Sequence, residues 1–315
     1  MNYTNRVFGA AIVKAINANY NADFSGQPRT LPNGVVYATD KAFKYAVKNY
    51  LKNNYIEEKI FYFKRFNKEF VPYSLDDAYA AMFPNNKEEK DKKDKKIVAR
   101  DLLSCLDIRL FGATFAKKAK DNNVAISVHG PVQITHGVNI WKENNFYSEQ
   151  IMSPFRNPNE SSEDNSATTL GRQTRLHEGH YLHHFSINPK NLEEIITLAG
   201  NDSQNISDQD IEKLKEALRK GVTYYDSAAK AGCENELLIW VTLNESSKLV
   251  LPNFTQLIKM EEEKANGKVK VDLKELSSIL NRYKTDIKSI EIYVNKASVE
   301  IVNSPESVVT TCDIY

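Results

Sequence analysis

Cysteine is scarce, and so is any surplus of charge. The three cysteines, Cys105, Cys233 and Cys312, are odd in number and far apart. They form neither a disulfide framework nor a zinc-ligand pair, which leaves a reducing, cytoplasmic compartment as the expectation. Lysine and arginine total 42 against 41 aspartates and glutamates, a net charge of +1. A uniformly basic nucleic-acid binder is thereby excluded, although phosphate binding needs only a local patch. Long apolar runs are missing too. The longest clear one, Leu237 to Leu243, is far too short for a bilayer. The opening MNYTNRVFGA has no basic-then-apolar leader, so a soluble intracellular protein without membrane partners is expected, and sequons such as those at Asn244 and Asn253 carry no weight. No internal repeat and no catalytic signature stand out.

What is present is a chain of 315 residues, 41% apolar and 26% charged, enough for a sizeable core. Val7–Ile16 reads as a buried strand and Asn17–Gly34 as a long loop. Thr39 or Asp40 caps a helix running to about Asn53. Phe61–Tyr73 is aromatic and basic, either strand or irregular. Lys87–Lys96 (KEEKDKKDKK) reads as a solvated loop, and Ile97–Leu106 is weakly helical. Val124–Ile134 is a strand broken at Gly130-Pro131. Met152–Thr169 is a projecting insertion and Thr174–Ile187 a strand returning from it. Asp208–Ala231 reads as one or two helices with breaks near Gly221 and Gly232, Leu237–Leu243 as a central strand, and Ile290–Asn295 as a half-buried one. This order suits an α+β ferredoxin-like core with large insertions.

Three features could carry chemistry. Lys41, Lys44, Lys48 and Lys52 recur at helical intervals with no acid between them, standing about 5–6 Å apart along one face. Such a row is a solvated face or a phosphate track. In DIRLFGA (Asp107–Ala113), Asp107 and Arg109 share a face if extended, so Arg109 binds phosphate or forms a structural ion pair. In HGPVQITHGVN (His129–Asn139), Gly130-Pro131 bends a strand and presents Gln133 and nearby amides. A metal centre at His177, His180, His183 and His184 is not expected. HEGHYLHH is not HExxH, and a strand would place these histidines on opposite faces.

The ordered pair of motifs resembles the spacer-binding backbone subunit of type I CRISPR surveillance complexes (Cascade), subtype I-B, of the RAMP superfamily. GQPRT (Gly26–Thr30), TDKAFK (Thr39–Lys44) and AKAGCENELLIWV (Ala229–Val241) extend it to about two thirds of the chain, while Asn19–Asp23 departs from the family's Asn-Pro-Asn-Gly-Asp string. The resemblance implies a single domain over 1–315, a modified RNA-recognition-motif (ferredoxin-like) core, and insertions near 55–100 (finger-like) and 141–184 (thumb-like). It implies guide-RNA contacts at Arg29, Lys41, Lys44, Lys48, Arg109, Gln133, Arg172 and Arg175, with Lys52 less central. Met152, Ile151 or Phe155 would wedge between bases. It further implies partners: CRISPR guide RNA, target DNA through the guide, further copies in a head-to-tail filament, and the repeat-processing endoribonuclease, large, small and guide 5′-end capping subunits. No cofactor and no catalysis are implied. The alternative is a type III-like backbone subunit cutting target RNA with Asp23.

Overall fold

The computed structural model describes residues 1–84, 94–117, 124–141, 144–155, 169–200, 202–261, 266–306 and 309–315. The chain opens with β1 (Val7–Ala18), the short β2 (Tyr37–Ala38) and α1 (Asp40–Asn54). Helices α2 (Leu75–Met82), α3 (Lys95–Leu103) and α4 (Leu106–Phe111) follow, then the hairpin of β3 (Gly112–Lys117) and β4 (Val124–His129). Next come β5 (Val132–Ile134), β6 (Gly137–Asn139), β7 (Phe146–Met152) and the long β8 (Thr169–Ile187). After α5 (Glu193–Ala199) and α6 (Asp208–Tyr224) lie β9 (Cys233–Leu243), β10 (Lys259–Met260), β11 (Val269–Asp272), α7 (Lys274–Arg282), β12 (Ile287–Val294), β13 (Val299–Val302) and β14 (Val309–Asp313).

Among the described residues the main sheet has nine strands in the order β14-β12-β9-β1-β8-β6-β2, with β5 and β7 also paired to β8. Strand β1 is antiparallel to both β8 and β9. Successive side chains of β1 feed two cores, as its unbroken apolar run requires of a strand covered on both faces. Val7, Ala11, Val13 and Ala15 face one core together with Trp240 and the buried sides of α1 and α6. Phe8, Ala10 and Ile12 face the other, closed by α7 and the small sheet β10-β11-β13. The architecture is α+β around one large sheet. No helix among the described residues is long and apolar enough to cross a membrane.

Local chemistry explains the element ends. Thr39 caps α1 by accepting the Ala42 amide, and Ser207 caps α6 in a reciprocal box with Asp210. Phe43, Ala46, Val47, Tyr50 and Leu51 form the buried face of α1, and Ile211, Leu214, Ala217, Leu218 and Val222 that of α6. Helix α6 runs through Gly221 without a break, correcting that expectation. A β-carbon on Gly221 would lie 3.1 Å from the Ala46 carbonyl oxygen, so glycine there allows close helix packing instead.

Two further expectations change. DIRLF is not extended but forms α4. The acidic-basic run does not remain loop throughout: Asp94 caps α3 and Lys95 and Lys96 begin it, while 87–93 lies outside the described residues. The projection is a hairpin of β7 and the first part of β8, paired from Phe146↔Leu176 to Met152↔Thr169. It extends past Ala18, where the pairing of β1 with β8 stops, and every residue of β7 is exposed. Of the expected insertion, 156–168 lies outside the described residues.

Candidate functional site

The two sequence motifs meet through their glycines. Gly112, at the end of α4, has a positive φ of 73° and pairs with His129 across the β3–β4 hairpin. A β-carbon built on Gly130 would lie 2.1 Å from the Gly112 nitrogen, and one built on Gly112 would lie 2.2 Å from the Val128 carbonyl oxygen. Only two bare backbones fit there. Gly130→Ala is therefore expected to destabilise the fold by about 2–3 kcal/mol, measurable as a lower urea midpoint. An unchanged midpoint would mean the hairpin opens without cost.

Beside this junction lies a groove of about 250 Å³ lined by Asp40, Lys41, Lys44, Lys48, Tyr62, Asp107 and Gly112 among others. The helical spacing of the lysines brings three of them to it from α1. Lys41 is exposed. Lys44 pairs with Asp40 at 3.1 Å and stands 5.6 Å from the Phe111 ring centre. Lys48 donates to the Tyr62 carbonyl at 2.7 Å, and burial pushes its pKa down. Lys52 leaves the groove and sits 5.0 Å over the Phe63 ring.

Asp107 forms the floor, accepting the Phe61 amide at 2.8 Å and the Tyr62 amide at 2.9 Å. Burial raises its pKa, against the lowering influence of those amides and of Lys48. Tyr62 in turn donates through its hydroxyl to the Thr114 carbonyl. Three lysines thus face two carboxylates, so the row is partly compensated after all. Their role as counter-charges is not visible in the row itself, because Asp40 precedes it and Asp107 arrives from another element. The groove can hold an anion where Lys41 and Lys44 reach solvent, and its carboxylates hold Lys44 and the 61–62 backbone in place.

Arg109 does not line this groove. Two residues apart on a helix point to different sides, and Arg109 turns toward α6. It is 4% exposed and gives paired bonds to Asp210 at 3.1 and 2.9 Å. The same guanidinium donates to the Leu103 carbonyl and to Gln204, with Glu58 3.6 Å away. It forms the buried ion pair, the second of the two readings of the motif.

The remaining candidates lie elsewhere. Gln133 turns back to donate to the Gly130 carbonyl at 2.8 Å. Arg29 donates to Ala22 in the loop before β2, and that loop is tied to α1 by Asn21, which accepts the Thr39 amide. Arg172, exposed, and Met152, 55% exposed, are on the hairpin with Ile151. Phe155 follows β7 and is 77% exposed. Arg175 holds the hairpin to β1 by donating to the Asn17 carbonyl at 2.9 Å. Asp23 spends one carboxylate oxygen on a turn, accepting the Ser25 and Gln27 amides and the Ser25 hydroxyl.

The histidine segment is strand, so its members diverge. His180 meets Glu236 on one face of β8, while His183, on the other, bonds the Thr135 carbonyl and Tyr20. Sequence reasoning missed Tyr62, Thr114 and the Tyr37–His136 stack beside the start of α1, rings 5.5 Å apart. No spacing signals them, because each comes from a different segment. It also missed how far the 65–73 turn exposes aromatic surface: Asn67 accepts the Glu69 and Val71 amides, and Phe70 is 87% exposed at a φ of 61°.

No curated protein sequence matches the chain. A chain of a solved CRISPR RNA-guided surveillance complex, pre-nicking, shares the fold with a TM-score of 0.58 and 12% identity, covering 98% of this chain and 96% of that one. A chain of another CRISPR RNA-guided surveillance complex has a TM-score of 0.48 and 14% identity, with 96% of each covered. The family model described as CRISPR-associated protein Cas7 matches residues 5–287, most of the length, and the chain belongs to that family.

Proposed function

We propose that this chain is a non-catalytic backbone subunit that lines up in copies along a CRISPR guide RNA and presents the spacer to target DNA. The observation that carries this reading is the groove where Lys41 and Lys44 of α1 meet the glycine junction of the two motifs. It offers cations and backbone but no base-edge code, which suits a protein holding any spacer while base pairing reads sequence. A modified RNA-recognition-motif core is supported by the run β9-β1-β8-β6, antiparallel throughout, with α1 and α6 packed together against it. The exposed hairpin is the thumb-like element in this reading, with Arg172 as a phosphate contact and Met152 as the wedge.

The motif pair is the ground for placing the protein in a subtype I-B effector, with the companion subunits and open head-to-tail contacts such an assembly needs. Localisation is then cytoplasmic. The alternative of RNA cleavage through Asp23 draws no support from the site, since one of its oxygens already accepts three hydrogen bonds within its own turn. The test is to purify the protein with and without co-expressed guide RNA and companion subunits and sequence whatever RNA accompanies it. Protected spacer-length guide in a large, non-cleaving assembly is the expected result. A monomer carrying random fragments would overturn the reading.

A further inference from the structure

The chain buries a charged cluster that the groove does not use. His180 and Glu236 are both 0% exposed, with Nδ1 of the imidazole 2.6 Å from a Glu236 carboxylate oxygen. Its other nitrogen, Nε2, lies 3.4 Å from Glu178, within ion-pair reach but without a hydrogen bond between them. A neutral imidazole donates from one nitrogen only. An imidazolium carries a charge that serves the carboxylates on both sides of the ring, Glu236 by a hydrogen bond and Glu178 by proximity.

The position is where both strands of the exposed hairpin leave the body. The His180 amide donates to the Asn139 side chain, and its carbonyl accepts the Ile140 amide. The Trp141 ring packs 4.3 Å from the imidazole, on the segment that runs into β7. On the other strand, Glu178 and His180 belong to β8 itself, and Glu236 is the anchor on β9. Among the described residues the charged and titratable groups around the ring are few. Lys14 of β1 is its cross-strand neighbour and pairs with Glu234 of β9 at 3.3 Å. Tyr315 approaches from the C-terminal segment, its hydroxyl accepting from Asn295, whose amide bonds the Glu236 carbonyl. Among the described residues no other element brings a second cation to Glu236.

We propose that His180, held as an imidazolium between Glu236 and Glu178, is a buried latch fixing the root of the β7–β8 hairpin, and that the hairpin loosens when this proton is lost. A two-stranded ribbon has little stability of its own, so the orientation of this hairpin depends on how its root is tied. Burial alone would lower the imidazole pKa, but the Glu178 and Glu236 carboxylates beside the ring outweigh it and leave the value raised above 6.5. The sign follows. A raised folded-state pKa gives the latch full strength below about 6.5, and that strength is lost as pH rises through the raised value. Release is therefore an alkaline event.

The test uses the free 315-residue chain without RNA, so its outcome is separate from that of the guide-binding reading. Trp141 fluorescence, quenched by a protonated imidazole, is followed from pH 6 to 9, alongside the rate of tryptic cleavage at Arg172. Cleavage is corrected for the protease's own pH dependence on an unfolded substrate. The expected result is a rise in both signals at a common midpoint above 6.5. The fluorescence step disappears in Trp141→Phe and moves to lower pH in Glu236→Gln. At pH 7, His180→Gln leaves Glu236 uncompensated and is expected to raise cleavage roughly tenfold, while His180→Gln with Glu236→Gln recovers most of that. A midpoint at or below 6.5, or a double variant cleaved faster than either single one, would overturn the proposal. Should His180→Gln fail to fold, the wild-type and Glu236→Gln titrations decide it alone.

Discussion

Replacing Arg109 with alanine is expected to lower the unfolding free energy by about 3–5 kcal/mol, the cost of breaking a buried ion pair from one side. The guanidinium is bonded in parallel to Asp210, and that carboxylate also accepts the Ser207 amide in the box that starts α6. Alanine would leave Asp210, 3% exposed, facing Glu58 without a shared cation. It would also release the bond to the Leu103 carbonyl at the end of α3. Three elements, α3, α4 and α6, lose a common tie. Thermal melting should fall on the order of 10 °C. Lysine should recover only a small part, because one ammonium cannot make the paired bonds of the planar group. Guide binding separates this role from a phosphate contact. Below its melting range, the folded Arg109→Ala protein should bind guide RNA with wild-type affinity and an unchanged salt slope. Normal stability with weakened RNA binding would return Arg109 to the RNA surface.

The same residue marks where the sequence stops being legible. Whether Asp107 and Arg109 share a face depends on backbone state, and a seven-residue string does not fix that state. Their partners, the Phe61 and Tyr62 amides for one and Asp210 for the other, are distant in sequence. Periodic signals fared better. The α1 cap at Thr39, its lysine row and its apolar face were readable because they repeat every turn. The burial of β9 was readable from LLIWVTL for a different reason, an unbroken apolar run of strand length. At Gly221 the local rule that glycine breaks helices lost to a tertiary one, close approach to Ala46. The groove was half legible: its lysines follow a period, but its acidic floor, Tyr62 and Thr114 come from segments that only the fold assembles.

Charge reversal in that groove should have the largest effect on RNA. Lys41→Glu with Lys44→Glu is expected to weaken guide binding at least ~100-fold at 0.1 M salt. The stability change should be small, since Lys41 is exposed and Lys44 makes only a partly exposed pair with Asp40. The milder pair Lys41→Gln with Lys44→Gln gives the quantitative check. Each lost phosphate contact on a single strand should reduce the salt slope of log affinity by about 0.7. Two contacts then remove roughly 1.4, measured by anisotropy of a labelled guide over a salt series. Lys48→Gln should behave differently. Its ammonium is committed to the Tyr62 carbonyl and stands by the Asp107 carboxylate, so its loss should lower stability while leaving the slope nearly intact. Parallel salt lines for wild type and the Lys41/Lys44 variants would make the row an ordinary solvated face. The anion-binding role would then pass to the arginines of the hairpin. A slope change confined to those two lysines would instead place the guide's phosphates along α1, next to the close backbone junction of Gly112 and Gly130.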